Sequence, residues 1–138
     1  MRRPAAPAVL LLALAIAGCV YYPTIPDIGG IRIRPQNGRA VLQPPGLVVF
    51  ADLASTGKYG DALVGATCDF ANRASIVVPP GQPAGRVEVP GETVVILRPG
   101  GPHIVLTELT RDVRPGETVL VTLLFEKVGR IGVPTRVE

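Results

Sequence analysis

The strongest constraint on the fold of this chain is a regular alternation of Pro-Gly turns with short runs of β-branched residues. Helical spacing of apolar residues is not sustained anywhere after the first 18 residues, and the intervals between turns are rich in Val, Ile and Thr. About ten residues separate successive turns, as in all-β sandwiches. The pattern therefore predicts an almost entirely β domain, with turns at PPG (44–46), PPGQPAG (79–85), VPG (89–91), RPGGP (98–102), RPG (114–116) and VGRIG (128–132).

The segment at residues 118–126 shows the strand pattern most clearly. Side chains alternate between the two faces of a strand, so Val119, Val121, Leu123 and Phe125 share one face, which is wholly apolar. The opposite face mixes Thr, Leu and Glu. We therefore predict that the sheet packs its apolar face inward, as a β-sandwich or a sheet partly closed on itself.

Two of the turns are near copies of each other, since PGETVVI begins at Pro90 and PGETVLV begins at Pro115. Pro followed by Gly suits the two central positions of a type II turn, because the second of them needs a positive φ. We therefore expect both segments to be tight type II turns that each begin a strand.

The first eighteen residues have the form of an export signal. Arg2 and Arg3 precede an apolar run that ends in small residues, and this run is shorter than the about 20 apolar residues of a membrane span. The box at residues 16–19, Ile-Ala-Gly-Cys, resembles that of bacterial lipoproteins, with Ile in place of Leu. We expect cleavage after residue 18 and lipidation of Cys19. The alternative is an ordinary cleaved signal with a chance cysteine.

Removal of the signal leaves a mature chain of 120 residues, enough for one domain with one core. Twelve basic and eleven acidic side chains remain, a net charge of +1. Because there is no basic cluster and no Trp, we expect no nucleic-acid binding. Residues 19–38 are rich in Pro and Gly, which predicts a lipidated cysteine followed by a flexible tether. The domain is then expected to span residues 39–138.

The C-terminal run LRPGGPHIVLTELTRDVRPGETVLVTLLFEKVGRIGVPTRV resembles the periplasmic copper(I) chaperones called the PCu(A)C family. Members share an Arg-Pro-Gly-Gly-x-His stretch and a Leu-x-Phe-Glu-Lys-x-Gly strand end, which fall here at residues 98–103 and 123–129. The upstream run ASTGKYGDALVGATCD (54–69) is similar to the family's Asn-Thr-Gly turn and Asp-x-Leu-Val-Gly-Ala-Ser segment. The resemblance implies a cupredoxin-like Greek-key β-sandwich.

In the PCu(A)C family, copper(I) is held by His and Met side chains, the last of them in a His-x-Met pattern. Residues i and i+2 of a strand share a face roughly 7 Å apart, and soft Cu(I) favours sulfur together with imidazole. In this chain, His103 occupies the histidine position of the His-x-Met pattern, but Val105 occupies the methionine position. Val77 lies near the position of the family's first histidine. The chain's one methionine is Met1, which leaves with the signal. The resemblance therefore predicts a degenerate copper site.

Two soft donors remain in the mature chain, Cys68 and His103. A two-coordinate site built from both would suit Cu(I), and a site joining His103 to a ligand from a partner protein or a second copy is a further alternative. Otherwise Cys68 is a small buried hydrophobe without a disulfide partner, and His103 is a solvated loop end. A thiol triad with Asp69 or Asp112 lacks a nucleophile motif, so we expect no enzyme.

The leading hypothesis is therefore a lipid-anchored envelope protein of the PCu(A)C family, without a cofactor, that has a binding or structural role. The alternative is a functional copper-delivery chaperone with a non-standard copper(I) site that uses His103, with or without Cys68. Cys19 would anchor the protein to the membrane, where its partner would be another envelope protein. Val20, rather than Asp, follows Cys19, which predicts the periplasmic face of the outer membrane in a Gram-negative cell. In a Gram-positive cell we expect the outer face of the plasma membrane.

Overall fold

The structure, a computed structural model, describes residues 29–138, which fold into nine β-strands without a helix. The predicted signal and the lipidation site Cys19 lie outside the described residues. In the part that is described, no helix is long and apolar enough to cross a membrane. The all-β expectation is confirmed, with strands β1 (Ile33–Gln43), β2 (Gly46–Ser55), β3 (Asp61–Thr67), β4 (Ala71–Val77), β5 (Val87–Val89), β6 (Thr93–Ile96), β7 (His103–Leu109), β8 (Thr118–Phe125) and β9 (Gly129–Val137).

One sheet contains all nine strands, in the order β4-β7-β2-β1-β9-β8-β3-β5, with β6 paired to the second half of β2. Most pairs are antiparallel, but β1 and β9 run parallel. β3 and β4 stand near opposite ends of this path, and a short turn with a bridge between Cys68 and Ala71 joins them. The sheet therefore folds back on itself around one interior, as the predicted sandwich requires.

The interior of the sandwich is a single apolar core to which most strands contribute. In β8, the side chains of Val119, Val121, Leu123 and Phe125 are buried, whereas Leu120 on the other face is 58 % exposed. The predicted inward face of this strand is confirmed. A fully buried Leu or Val side chain stabilises the fold by about 1.5–3 kcal/mol relative to an exposed one.

The two similar Pro-Gly turns differ in conformation. Gly116 has a φ of 90°, as the second central position of a type II turn requires. Gly91 has no positive φ, and Glu92 takes that conformation instead, with a φ of 57°. The type II prediction at Pro90 is therefore wrong. Gly91 is needed for a close approach, because a Cβ there would lie 2.3 Å from the carbonyl oxygen of Lys58.

The folded domain begins earlier than the predicted boundary at Arg39. β1 starts at Ile33, and both Ile31 and Ile33 are buried in the core. The Pro, Asn and Gly residues at 35–38 conceal this strand in the sequence, because the register of β1 against β2 shifts there at a bulge. The tether predicted for residues 19–38 therefore extends too far into the domain.

Candidate functional site

The position that corresponds to the family's copper site lies where the end of β4 pairs with the start of β7. In this antiparallel pair Val77 is directly opposite His103, and Ser75 is directly opposite Val105. Directly opposite residues project from the same face of a sheet, with Cβ atoms roughly 5 Å apart. These four side chains therefore form one patch, here called the β4–β7 rim. Val77 is 40 % exposed and His103 is half-buried, so the rim is open to solvent.

The turn before β7 fixes the orientation of the His103 imidazole. This turn closes through two backbone hydrogen bonds, donated by the Arg98 amide to the Pro102 carbonyl and by the Gly101 amide to the Arg98 carbonyl, both 3.0 Å. His103 Nδ1 lies 2.9 Å from the Gly101 carbonyl oxygen. Because a carbonyl only accepts, Nδ1 is the donor of this hydrogen bond, and in the neutral imidazole the lone pair lies on Nε2. Nε2 is therefore the His103 atom that could bind a metal ion.

An aromatic ring and a guanidinium group support His103 on the outer face of the sheet. The centroid of the Phe50 ring lies 6.1 Å from that of His103, with the two planes tilted by 55°. Phe50 is only 6 % exposed, yet it does not belong to the core cluster. The guanidinium of Arg39 lies 5.8 Å from the centroid of the Phe50 ring. This support could not be found in the sequence, because it depends on the register of β2 against β7 and β1.

The donor set of the β4–β7 rim does not fit copper(I). A His/Met site needs thioether sulfur, but the neighbours of His103 on its own face are Val77 and Val105, whose side chains have no lone pair. Ser75 adds only a hydroxyl, a hard donor that does not suit Cu(I). Within residues 29–138, no group of three or more His, Cys, Asp or Glu side chains is arranged to hold a metal ion.

Cys68 lies near the opposite end of β7 from His103. Its backbone bridges to Ala71, which is opposite Leu109 at the last position of β7. At about 3.3 Å per residue, the two ends of this strand are roughly 20 Å apart. The structure therefore does not bring Cys68 and His103 together, and the two-coordinate site considered for them is not formed. The same separation removes the Cys–His pair that a thiol enzyme would need.

The thiol of Cys68 lies in an environment that lowers its reactivity. Cys68 is a free, half-buried cysteine, and its Sγ lies 3.6 Å from the carbonyl oxygen of Leu120. Burial raises the pKa of the Cys68 thiol. Because the thiolate is both the nucleophile and the metal ligand, a raised pKa makes the thiol a poor candidate for either role near neutral pH.

A cavity of about 500 Å³ lies near the Leu109 end of β7, away from the β4–β7 rim. Its lining includes Leu42, Pro45, Leu109, Arg111 and Val113. The Arg111 guanidinium is engaged, because it pairs with Glu117 at 2.7 Å and lies 4.5 Å from the centroid of the Phe70 ring. Arg111 is therefore not free to bind a ligand, and the other charged residue of the lining is Asp112.

Asp61 is a buried carboxylate that the sequence did not reveal as important. It is 5 % exposed and accepts hydrogen bonds from the backbone amides of Ala62 (2.8 Å), Lys127 (2.9 Å) and Val128 (2.9 Å). These charge-assisted bonds satisfy the carboxylate and attach β3 to the turn between β8 and β9. Its role is structural. The segments DALVGA and LLFEKVG both carry the family resemblance, but only the fold shows that they meet.

The fold of the described residues is similar to that of solved PCuAC domains. Among solved structures, the apo PCuAC domain from PmoF1 has a TM-score of 0.67 and 22 % identity over 81 % of this chain and 96 % of that one. The copper-bound PCuAC domain from PmoF2 has a TM-score of 0.67 and 19 % identity over 81 % and 95 %. The CuI-DR1885 solution structure from Deinococcus radiodurans has a TM-score of 0.61 and 23 % identity over 80 % of each chain. The expected cupredoxin-like fold is confirmed.

A family model described as "Putative lipoprotein LpqE-like" matches residues 28–137, and the chain therefore belongs to the LpqE-like family. A comparison with curated proteins found no match. The family match and the fold together confirm the resemblance to PCu(A)C proteins that the sequence motifs indicated.

Proposed function

We propose that this protein is a lipid-anchored envelope protein whose PCuAC domain has lost its His/Met copper(I) site and acts by binding another envelope component or in a structural role. The observation that carries the proposal is the composition of the β4–β7 rim. The residue opposite His103 and the next residue on its own face are both valine, Val77 and Val105. A single imidazole with no sulfur beside it is a weak site for a soft ion.

Retention of the rest of the domain supports a role that depends on the sandwich itself. The Asp61 contacts, the RPGGP turn and the inward face of β8 are all intact. A chain under no demand to fold would not be expected to keep a buried carboxylate with three amide partners, since losing one partner of such a group is costly. We therefore assign the function to the surface of the domain and expect no catalytic activity.

The anchor and the location are part of the same proposal. The family description and the Ile-Ala-Gly-Cys box support lipidation at Cys19. Nine residues, 20–28, lie between Cys19 and Gly29, where the described part of the chain begins, so the domain would lie close to the membrane that holds the lipid. Val20 after the lipidated cysteine favours the periplasmic face of the outer membrane in a Gram-negative cell.

A second candidate function is copper delivery through a site that a partner completes. The observation that favours it is the hydrogen bond from His103 Nδ1 to the Gly101 carbonyl. Histidines that bind a metal commonly donate a hydrogen bond from their other ring nitrogen in this way, which leaves Nε2 of the half-buried His103 as the atom that could bind copper. The missing sulfur ligands would then come from a second protein or a second copy of this chain.

Cu(I) competition against a chromophoric chelator separates these two functions. The assay uses residues 20–138 of the wild type, the variant His103→Ala and the variant Cys68→Ser. The proposed function predicts that none of the three proteins removes copper from the chelator. Copper retention by the wild type that is lost in His103→Ala and kept in Cys68→Ser would overturn the proposal and establish His103 as a copper ligand.

A further inference from the structure

The outer surface of the β8–β9 hairpin combines exposed apolar side chains with two arginines. Residues on this side of β8 alternate with the buried ones, and their partners on β9 are exposed. Leu124 is opposite Arg130, and Leu120 is opposite Pro134. The surface, here called the β8–β9 face, consists of Leu120, Leu124, Arg130, Gly132, Pro134 and Arg136.

The two leucines of the β8–β9 face lie flat on glycines. A Cβ built on Gly132 would be 3.2 Å from Leu120 Cδ1, and one built on Gly65 of the neighbouring strand β3 would be 3.1 Å from Leu124 Cδ1. The leucines therefore occupy the space that side chains at these glycines would fill. Leu120 nevertheless remains 58 % exposed. The result is an apolar surface that is smooth rather than protruding.

Among the described residues 29–138, neither Arg130 nor Arg136 of the β8–β9 face forms an ion pair. In the parallel β1–β9 pair, Arg136 is directly opposite Arg39. Arg39 contacts the Phe50 ring and the Asn37 carbonyl, and it too forms no ion pair with a carboxylate in this part of the chain.

This arrangement has a cost for the isolated domain. Like charges directly opposite each other in a sheet repel, so Arg39 and Arg136 place two guanidinium groups that form no ion pair among the described residues side by side at one end of the β8–β9 face. An anionic group placed against the two guanidinium groups would remove that repulsion. The charge pattern therefore points to an anionic partner.

We propose that the β8–β9 face docks a second protein whose surface presents apolar side chains flanked by Asp or Glu. Arg130 and Arg136 would hold the carboxylates, and Leu120 and Leu124 would form the apolar centre, in the usual division of an interface into core and rim. This inference rests on the binding role proposed above and names the surface that performs it.

Two other occupants fit this face less well. A second copy of the chain would bring the same unpaired arginines against each other, which charge repulsion disfavours. A bilayer is bound by apolar side chains that reach into the acyl region, whereas Leu120 and Leu124 lie down against Gly132 and Gly65. A smooth surface matches the flat, complementary contact between two proteins.

In-cell photo-crosslinking tests the proposal with the full-length protein. A photo-crosslinking amino acid replaces exposed Thr118 at the edge of the face, and in a matched control it replaces Val94, which is 60 % exposed on β6. We expect the first position to crosslink to one envelope protein through a peptide that contains acidic and apolar residues, and the control position not to capture that protein.

Variants with reversed charge then test whether the crosslink depends on the β8–β9 face. Arg130→Glu/Arg136→Glu should lower the crosslink yield by about tenfold or more, Leu120→Asp should do the same, and Val94→Asp should leave it unchanged. Thermal unfolding of each variant checks that the domain is folded. A yield insensitive to these changes, capture of the chain by itself, or arginine-dependent binding of the lipid-free domain to phosphatidylglycerol vesicles would overturn the proposal. None of these outcomes depends on copper, so the failure of the inference is distinct from that of the copper titration.

Discussion

Two sites of this domain, the surroundings of Asp61 and the β4–β7 rim, lie in segments whose sequences resemble the PCu(A)C family, but they differ in whether their polar side chain has partners. The buried carboxylate of Asp61 accepts hydrogen bonds from backbone amides of its own strand and of the β8–β9 turn. At the β4–β7 rim, His103 stands opposite Val77 and on the same face as Val105. The Asp61 carboxylate has hydrogen-bond partners, whereas His103 has no sulfur ligand beside it at the rim.

This difference indicates that the stability of the fold and the chemistry of the β4–β7 rim depend on separate residues. Loss of the Asp61 carboxylate would leave the Ala62 amide and the partly buried Lys127 and Val128 amides without an acceptor, which lowers the stability of the fold. The rim side chains are partly exposed, and exposed substitutions usually change stability little. We therefore expect this sandwich fold to tolerate replacement of side chains at the rim.

The largest expected effect is a gain of copper affinity when ligands are returned to the rim. The double variant Val77→His/Val105→Met places an imidazole and a thioether beside His103. We expect its Cu(I) affinity to exceed that of the wild type by about a thousandfold, roughly 4 kcal/mol. Competition with a chromophoric chelator measures the change.

The matched control for this gain is Val77→His/Val105→Leu, which supplies similar volume without sulfur. If the methionine variant bound copper no better than the leucine variant, the β4–β7 rim would not be the place where the family's ligands converge. Thermal unfolding of both variants should stay close to that of the wild type.

The second-largest expected effect is a loss of stability when Asp61 is replaced. Asp61→Asn keeps one acceptor oxygen and replaces the other by an NH₂ group, so in either orientation at least one of the backbone amides of Ala62, Lys127 and Val128 loses its acceptor. We expect the free energy of unfolding to fall by about 3 kcal/mol. Urea unfolding measures it, with Asp112→Asn as an exposed control. A loss no greater than that of the control would mean that Asp61 does not hold the β8–β9 turn.

A smaller effect is expected at Cys68, the other soft donor of the domain. Because burial raises its pKa, the thiolate fraction near neutral pH is lower than that of a free cysteine. Iodoacetamide should therefore modify the native protein more slowly than the urea-unfolded chain, by roughly tenfold, and the native rate should rise with pH. Equal rates in the two states would show an accessible, reactive thiol and reopen Cys68 as a ligand.

The smallest effect is expected at an exposed carboxylate, in contrast to Asp61. The hydrogen bond from Arg111 lowers the pKa of Glu117. A carboxylate with a lowered folded pKa stabilises the fold above its unfolded pKa, and this stabilisation is lost as the pH falls through the folded value. Glu117→Gln should therefore be slightly less stable than the wild type at neutral pH, with the difference shrinking in acid. Urea unfolding at both pH values measures it, and a difference that persisted in acid would point to packing instead of charge.

Much of the fold followed from local patterns in the sequence. Alternation in β8 identified its inward face, and the turn sequences separated most strands, because both signals depend only on neighbouring residues. The start of β1 at Ile33 could not be read in this way, since Pro35, Asn37 and Gly38 resemble a linker while forming a bulge. The conformation of Gly91 was also missed, because it is set by contact with a distant segment, at Lys58.

The candidate site was only partly predictable for the same reason. Counting His and Met in the sequence was enough to exclude a His/Met site. The separation of Cys68 from His103, the Phe50 ring beside the imidazole, and the amides around Asp61 all depend on which strands become neighbours. Strand pairing of this kind joins residues far apart in sequence, so no local pattern encodes it.

The most direct test of the claim that the rim holds no copper(I) is the copper content of the protein as cells make it. The lipid-free protein is purified from copper-supplemented cells, and its metal content per chain is measured by mass spectrometry beside that of His103→Ala. The account predicts far less than one copper per chain in both proteins. One copper per wild-type chain, absent from His103→Ala, would contradict it.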